Sequence, residues 1–155
     1  MANKGMTPIV KVISDWVKSF IMLFGIYIVL FGHLTPGGGF AGGVIIAMVY
    51  VLITLAHGKE EALRRMRMGV AAELDSVGAL MFLIIALLGV SAGFGGRFFA
   101  NYIHRLNPGK EFSLFSAGTI PLYNIAIALK VATSLFLVFI LLVLLKVIHG
   151  PEGEA

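Results

Sequence analysis

A lysine inside an apolar run is the residue of this sequence best placed to do chemistry. Lys130 stands about nine residues into the last long hydrophobic stretch, where a lone charge costs about 2.5–3.5 kcal/mol, so its side chain must face protein or water rather than lipid. On a helix, Tyr123, Lys130 and Ser134 fall within about 40° of one another, with Asn124 and Thr133 farther round. Such a stripe could line a proton or ion path, because a lysine can release a proton where an arginine cannot. It could equally be a lysine that reaches the interface, or one that holds a neighbouring subunit's carboxylate and transports nothing.

The other titratable candidates lie near expected helix ends. His33 follows the first apolar run; it can exchange a proton near neutral pH, or simply hydrogen-bond the last carbonyls of its helix. Asp15 can be held by Lys11 or Lys18, whereas Glu73 and Asp75 are placed to favour a helix N-terminus. Any of the three acids could instead feed protons or Na+ into a path. His57, His104 and His149 lack metal-ligand spacing, so no metal is expected. The sequence has no cysteine, which excludes disulfides and thiolate ligation within the chain, and no nucleophile-base-orienter set stands out.

The elements that must carry these residues are helices. Four apolar runs approach the roughly 20 residues needed to cross about 30 Å of hydrocarbon, at about 8–32, 36–57, 73–94 and 121–148. Thr7-Pro8 and Thr35-Pro36 both read as helix starts, with threonine as N-cap and proline at the first helical position. The first helix begins amphipathic, with Lys11, Asp15 and Lys18 on one stripe, and only a short turn separates it from the second, so the two must be antiparallel neighbours. The connection after His57 is charged and is expected to be partly helical at the surface. The longest loop, with Arg97, His104, Arg105, Lys110 and Glu111, precedes the fourth span, which Gly150-Pro151 stops. Gly38 to Gly42, Gly39 to Gly43 and Gly89 to Gly93 have the small-xxx-small spacing that lets helices approach closely. The glycine run has neither the preceding strand nor the Lys-Ser/Thr ending of a phosphate loop.

Composition agrees. The chain is 59% hydrophobic and 13% charged, with a mean hydropathy of +0.97, which reads as an all-α polytopic membrane protein forming a single domain over residues 1–155. The net charge of +4 sits beside apolar spans without interleaved stacking aromatics, which argues against nucleic acid. No signal peptide is expected, because the first apolar run lacks a small-residue cleavage site. Eight Lys and Arg residues fall on the side of the termini and of the second loop, and three on the opposite side, so both termini are expected in the cytoplasm.

The run Gly32-His33-Leu34-Thr35-Pro36-Gly37-Gly38-Gly39-Phe40-Ala41-Gly42-Gly43, preceded by Gly25-Ile26-Tyr27, resembles the hallmark segment of the MnhB/MrpB family, the B subunit of Mrp-type multisubunit Na+/H+ antiporters. The stretch Gly118-Thr119-Ile120-Pro121-Leu122-Tyr123-Asn124, continued through Lys130 to Ala132, is similar to the family's run leading into its last helix. With the four spans, the resemblance covers about residues 8–148. Ala41 and Ala126 depart from it, standing where a polar residue and a glycine are expected. The resemblance implies a small subunit contributing to assembly and to cation and proton translocation in the cell membrane, with no cofactor of its own. Pro36 to Phe40 would be the signature turn and Lys130 the intramembrane lysine. Its partners would be other Mrp-type subunits and, where the module sits in a complex I-related assembly such as a membrane-bound hydrogenase or a sulfur-reducing complex, hydrogenase-like or iron-sulfur proteins. A pure scaffold and a standalone small transporter are the alternatives; the latter would need an internal repeat or a midplane cavity that the sequence does not display.

Overall fold

The computed structural model describes residues 6–90, 96–103, 114 and 116–148. His104, Arg105, Lys110, Glu111 and His149, the Gly93 half of the third glycine pair and the Gly150-Pro151 stop lie outside the described residues. The helices whose bounds lie among the described residues are, in order, α1 Pro8–Leu30, α2 Gly38–His57, α3 Lys59–Arg65, α4 Met68–Leu88 and α5 Ile120–Ile148. All but α3 are long and apolar enough to cross a membrane, and no strand occurs among the described residues.

Thr7 occupies the N-cap of α1 with Pro8 in the first turn, as the sequence predicts, although the threonine hydroxyl makes no cap bond. The second start signal behaves differently. Thr35 donates its hydroxyl backwards to the Phe31 carbonyl at 3.2 Å and so helps finish α1 rather than begin α2. α2 starts two residues beyond Pro36, at Gly38, because Gly37 is its N-cap with φ of 98°, a left-handed conformation that a residue with a Cβ rarely adopts. The third span also departs from expectation. It begins at Met68 and ends at Leu88 instead of covering 73–94, because Val70, Ala71 and Ala72 extend the helix before Glu73. After Gly89 the chain folds back, with Arg97 N–H donating to the Gly89 carbonyl at 3.1 Å. Gly89 therefore makes room for returning chain, since a Cβ there would lie 2.7 Å from the Ala100 nitrogen.

The spans pack chiefly as a row, α1 against α2, α2 against α5 and α5 against α4. Glycines set the first two contacts. A Cβ on Gly42 would meet Val29 N at 3.0 Å and the Gly25 carbonyl at 3.1 Å, so this face of α2 fits α1. One turn apart on the other face, a Cβ on Gly39 would lie 2.3 Å from the Asn124 carbonyl and one on Gly43 2.9 Å from that of Ala128. This is the close approach that small-xxx-small spacing permits. Phe40, between them, is 63% exposed and takes no part in that contact. Farther along, Tyr50 and Phe136 rings meet at 5.3 Å, so α2 and α5 run parallel in a constant register. Val49, Ile53, Phe136 and Ile140 form a core there with Ala62 of α3 and Ala71 of α4. α1 and α4 flank the row and leave broad apolar faces, including Trp16, Phe20 and Leu23 on α1 and Leu80, Leu83 and Leu87 on α4, uncovered within the chain.

Candidate functional site

Lys130 meets its countercharge inside the chain. Its Nζ donates to both carboxylate oxygens of Asp75, at 3.0 Å each, and the Ser134 hydroxyl donates to Oδ1 of the same carboxylate. α5 brings Lys130 and Ser134 to one face because they are four residues apart, and α4 supplies Asp75. Gly78 makes the approach possible: a Cβ there would lie 2.9 Å from the Lys130 nitrogen. Gly78 is the midpoint of Met68–Leu88, so the ammonium hangs from the middle of the span and the carboxylate sits about one turn nearer the start of α4. The sequence assigned Asp75 to a helix N-terminus. The structure places it inside the helix instead, since α4 begins seven residues earlier and the side chain crosses to α5. With a carboxylate at hand, Lys130 needs no neighbouring subunit's acid for its charge, although its side chain remains 47% exposed and that of Asp75 26%.

On the side of Lys130 nearer the start of α5, a cavity of about 220 Å³ runs between α4 and α5, walled by Gly78, Ala79, Phe82, Ala126 and Ile127. The ring of Phe82 meets Tyr123 at 5.1 Å, tilted, and Phe99 at 5.7 Å, edge to face, so an aromatic cluster closes that end. The Tyr123 hydroxyl is buried and has no hydrogen-bond partner among the described residues. Tyr123, Lys130 and Ser134 thus line one seam.

The other two candidates lie elsewhere. His33 Nε2 contacts Ser116 Oγ at 3.0 Å in the turn between α1 and α2, where it joins the segment before α5 rather than the seam. Asp15 pairs with Lys18 and lies 3.4 Å from His57 Nε2, where α1 passes the end of α2. Within the signature turn, Asn124 receives the Gly39 N–H on its Oδ1 at 3.2 Å. Would-be Cβ atoms on Gly32 and Gly38 also meet the Asn124 amide, so the glycine turn folds around this side chain. Sequence reasoning named Asp75 and Asn124 but missed their contacts, the first with Lys130 and the second with the glycine turn. Asp75 had a detectable signal, an acid bordering an apolar run in a chain with one lysine in need of a partner; Asn124 had none beyond its place beside Tyr123. Among the described residues, no group of three histidines or acids could hold a metal ion.

Residues 9–137 match the family model described as a domain related to the MnhB subunit of Na+/H+ antiporter. The chain is similar to an uncharacterized protein of Methanocaldococcus jannaschii, 36% identical over 92% of this chain and 54% of that one. It is also similar to a Staphylococcus aureus (strain Newman) protein named for the antiporter subunit mnhB2, 32% identical over 61% of this chain and 64% of that one. Among solved structures, it resembles a chain of the membrane-bound sulfane sulfur reductase, an archaeal respiratory membrane complex, with a TM-score of 0.67 and 25% identity over 89% of this chain and 60% of that one. The chain therefore spans between about half and two thirds of the length of these relatives.

Proposed function

This multi-pass membrane chain belongs to the family of domains related to the MnhB subunit of Na+/H+ antiporters, and from that premise we propose that it is a small subunit of a multisubunit antiporter module in which the α4–α5 seam serves cation and proton translocation. The observation that carries this reading is the Lys130–Asp75–Ser134 cluster at mid-span. A charge pair there is a poor way to stabilise a membrane protein, because apolar packing of similar volume does as well or better. It is well suited to proton exchange. Moving a proton from the Lys130 ammonium to the Asp75 carboxylate leaves a neutral amine and a neutral acid, so no net charge is created in the hydrocarbon layer at either step. Ser134 holds the carboxylate in place, and the cavity toward Tyr123 gives the lysine an outward approach.

α1 begins and α5 ends on the same side of the row, and the excess of Lys and Arg in the sequence on that side supports a cytoplasmic location for it in the cell membrane. The likeness to a chain of the sulfane sulfur reductase supports a second host, a respiratory complex in which redox chemistry in other subunits drives the same module. Mass spectrometry of what co-purifies with the tagged chain separates the hosts: antiporter subunits alone, or antiporter subunits with iron-sulfur proteins.

The role of the seam is tested by Na+/H+ exchange in vesicles carrying the assembled complex. Lys130→Ala and Lys130→Arg should both lose exchange while the complex remains intact, since arginine keeps the charge but holds its proton at accessible pH. Retained exchange in Lys130→Arg would sink the proton-relay reading and leave a structural pair.

A further inference from the structure

One groove of the chain is remote from the seam. It has a volume of about 430 Å³ and lies where α1, α2 and α3 meet. Lys18 and Arg65 stand at its mouth, and Met22, Leu23, Ile26 and Val49 supply its apolar lining. Leu23 is 67% exposed and Ile26 43%, so the apolar wall continues onto the surface that faces lipid. We propose that this groove binds one anionic phospholipid from the leaflet that contains α3, with the phosphate between Lys18 and Arg65 and an acyl chain along Met22, Leu23 and Ile26.

Level, reach and charge all favour that occupant. Lys18 is three residues past Asp15, which contacts the last residue of α2, so the mouth lies just inside the end of the span, at the depth of a phosphate and glycerol. From Lys18 to Ile26 the wall rises about 12 Å along the helix, enough for the upper half of an acyl chain. Among the described residues Arg65 pairs through its Nε with Glu61 at 2.9 Å, and the two terminal NH2 groups of the guanidinium can then meet phosphate oxygens. Lys18 pairs with Asp15 through one of its three ammonium protons. The connection around α3 adds Lys59, Arg64 and Arg67 against Glu60, keeping the rim positive overall. Basic clefts between helices at this membrane face are suited to anionic headgroups.

The proposal needs only that the chain spans the membrane, and so stands or falls separately from the ion path. The test is native mass spectrometry of the full complex in nanodiscs of phosphatidylglycerol and phosphatidylcholine with identical acyl chains. Wild type should retain one phosphatidylglycerol in preference to phosphatidylcholine by about tenfold. Lys18→Gln/Arg65→Gln should abolish the preference, and excess glycerol phosphate should not displace the lipid, since the acyl chain supplies part of the binding. Displacement by glycerol phosphate would mean a free-phosphate site and overturn the lipid assignment. Equal retention of both lipids by wild type, a measurement that does not depend on any variant folding, would overturn it too. A photoreactive residue at position 26 should label lipid; labelling of a partner protein instead would show that the groove is a subunit interface.

Discussion

Asp75→Asn is the most informative single change in the seam. It removes a carboxylate that receives both bonds from Lys130 and one from Ser134, and puts in its place a neutral amide of nearly the same shape. The ammonium then stands without countercharge about one turn from Gly78, the middle of α4, on the side of the helix start. Leaving one charge of a buried pair unmatched costs about 3–5 kcal/mol, and a lone lysine at the centre of a span about 2.5–3.5 kcal/mol. Lys130 keeps 47% of its side-chain surface open and can turn toward water, so the lower figure applies. A loss of about 2.5 kcal/mol is about 60-fold in the folded-to-unfolded ratio. The assay is survival of the tagged complex through a temperature ramp in detergent, read by size-exclusion chromatography. Asp75→Asn and Lys130→Met should each lower the midpoint, and the double variant should recover most of the loss, because it removes both charges together. Exchange activity should stay lost in the double variant. The reasoning is refuted if Asp75→Asn is as stable as wild type, or if the double variant loses the sum of the two single losses.

Gly39→Ala should cost about 1–3 kcal/mol or more and deplete the assembled complex, since its methyl would lie 2.3 Å from the Asn124 carbonyl, which is helix backbone and cannot swing aside. Gly69→Ala, with nothing within 4 Å, is the matched control and should stabilise α4 by about 0.5–1 kcal/mol in the same thermal assay. Glu61 titrates at the surface, where its hydrogen bond to Arg65 holds the carboxyl below the ordinary 4.5. A depressed carboxylate contributes stability that is complete above about pH 4.5 and lost as pH falls through the lower folded value. Glu61→Gln should therefore reduce the acid-side loss of stability, and an unchanged slope below pH 4.5 would count against the pairing.

Much of the fold was legible because a bilayer imposes its own length. Four apolar runs of about 20 residues leave little freedom, and the α2 glycines announced close packing before any neighbour was known. The errors were local and share a cause. Thr35-Pro36 has the composition of a helix start, yet Gly37 can adopt a left-handed conformation that proline cannot, and the N-cap moved to it. Gly89 has helix-packing spacing, yet the segment returning from α4 took the space.

The site was half legible for a reason that applies to any intramembrane pair. Reading a span from hydropathy trims polar residues from its ends, so an acid that belongs inside the helix is assigned to the interface. Asp75 was lost this way, seven residues inside α4. The uncompensated Lys130 demanded an acid, and Asp15, Glu73 and Asp75 were all available. Choosing among them requires knowing which span lies beside α5. Short turns reveal neighbours, as between α1 and α2, but the longest loop of the chain joins α4 to α5 and implies nothing about adjacency. Gly78 marks the answer in three dimensions, since only a residue without a Cβ lets α4 come within reach of the Lys130 backbone. In this chain the acid that pairs with the intramembrane lysine is the one about one helical turn from Gly78, the mid-span glycine of α4.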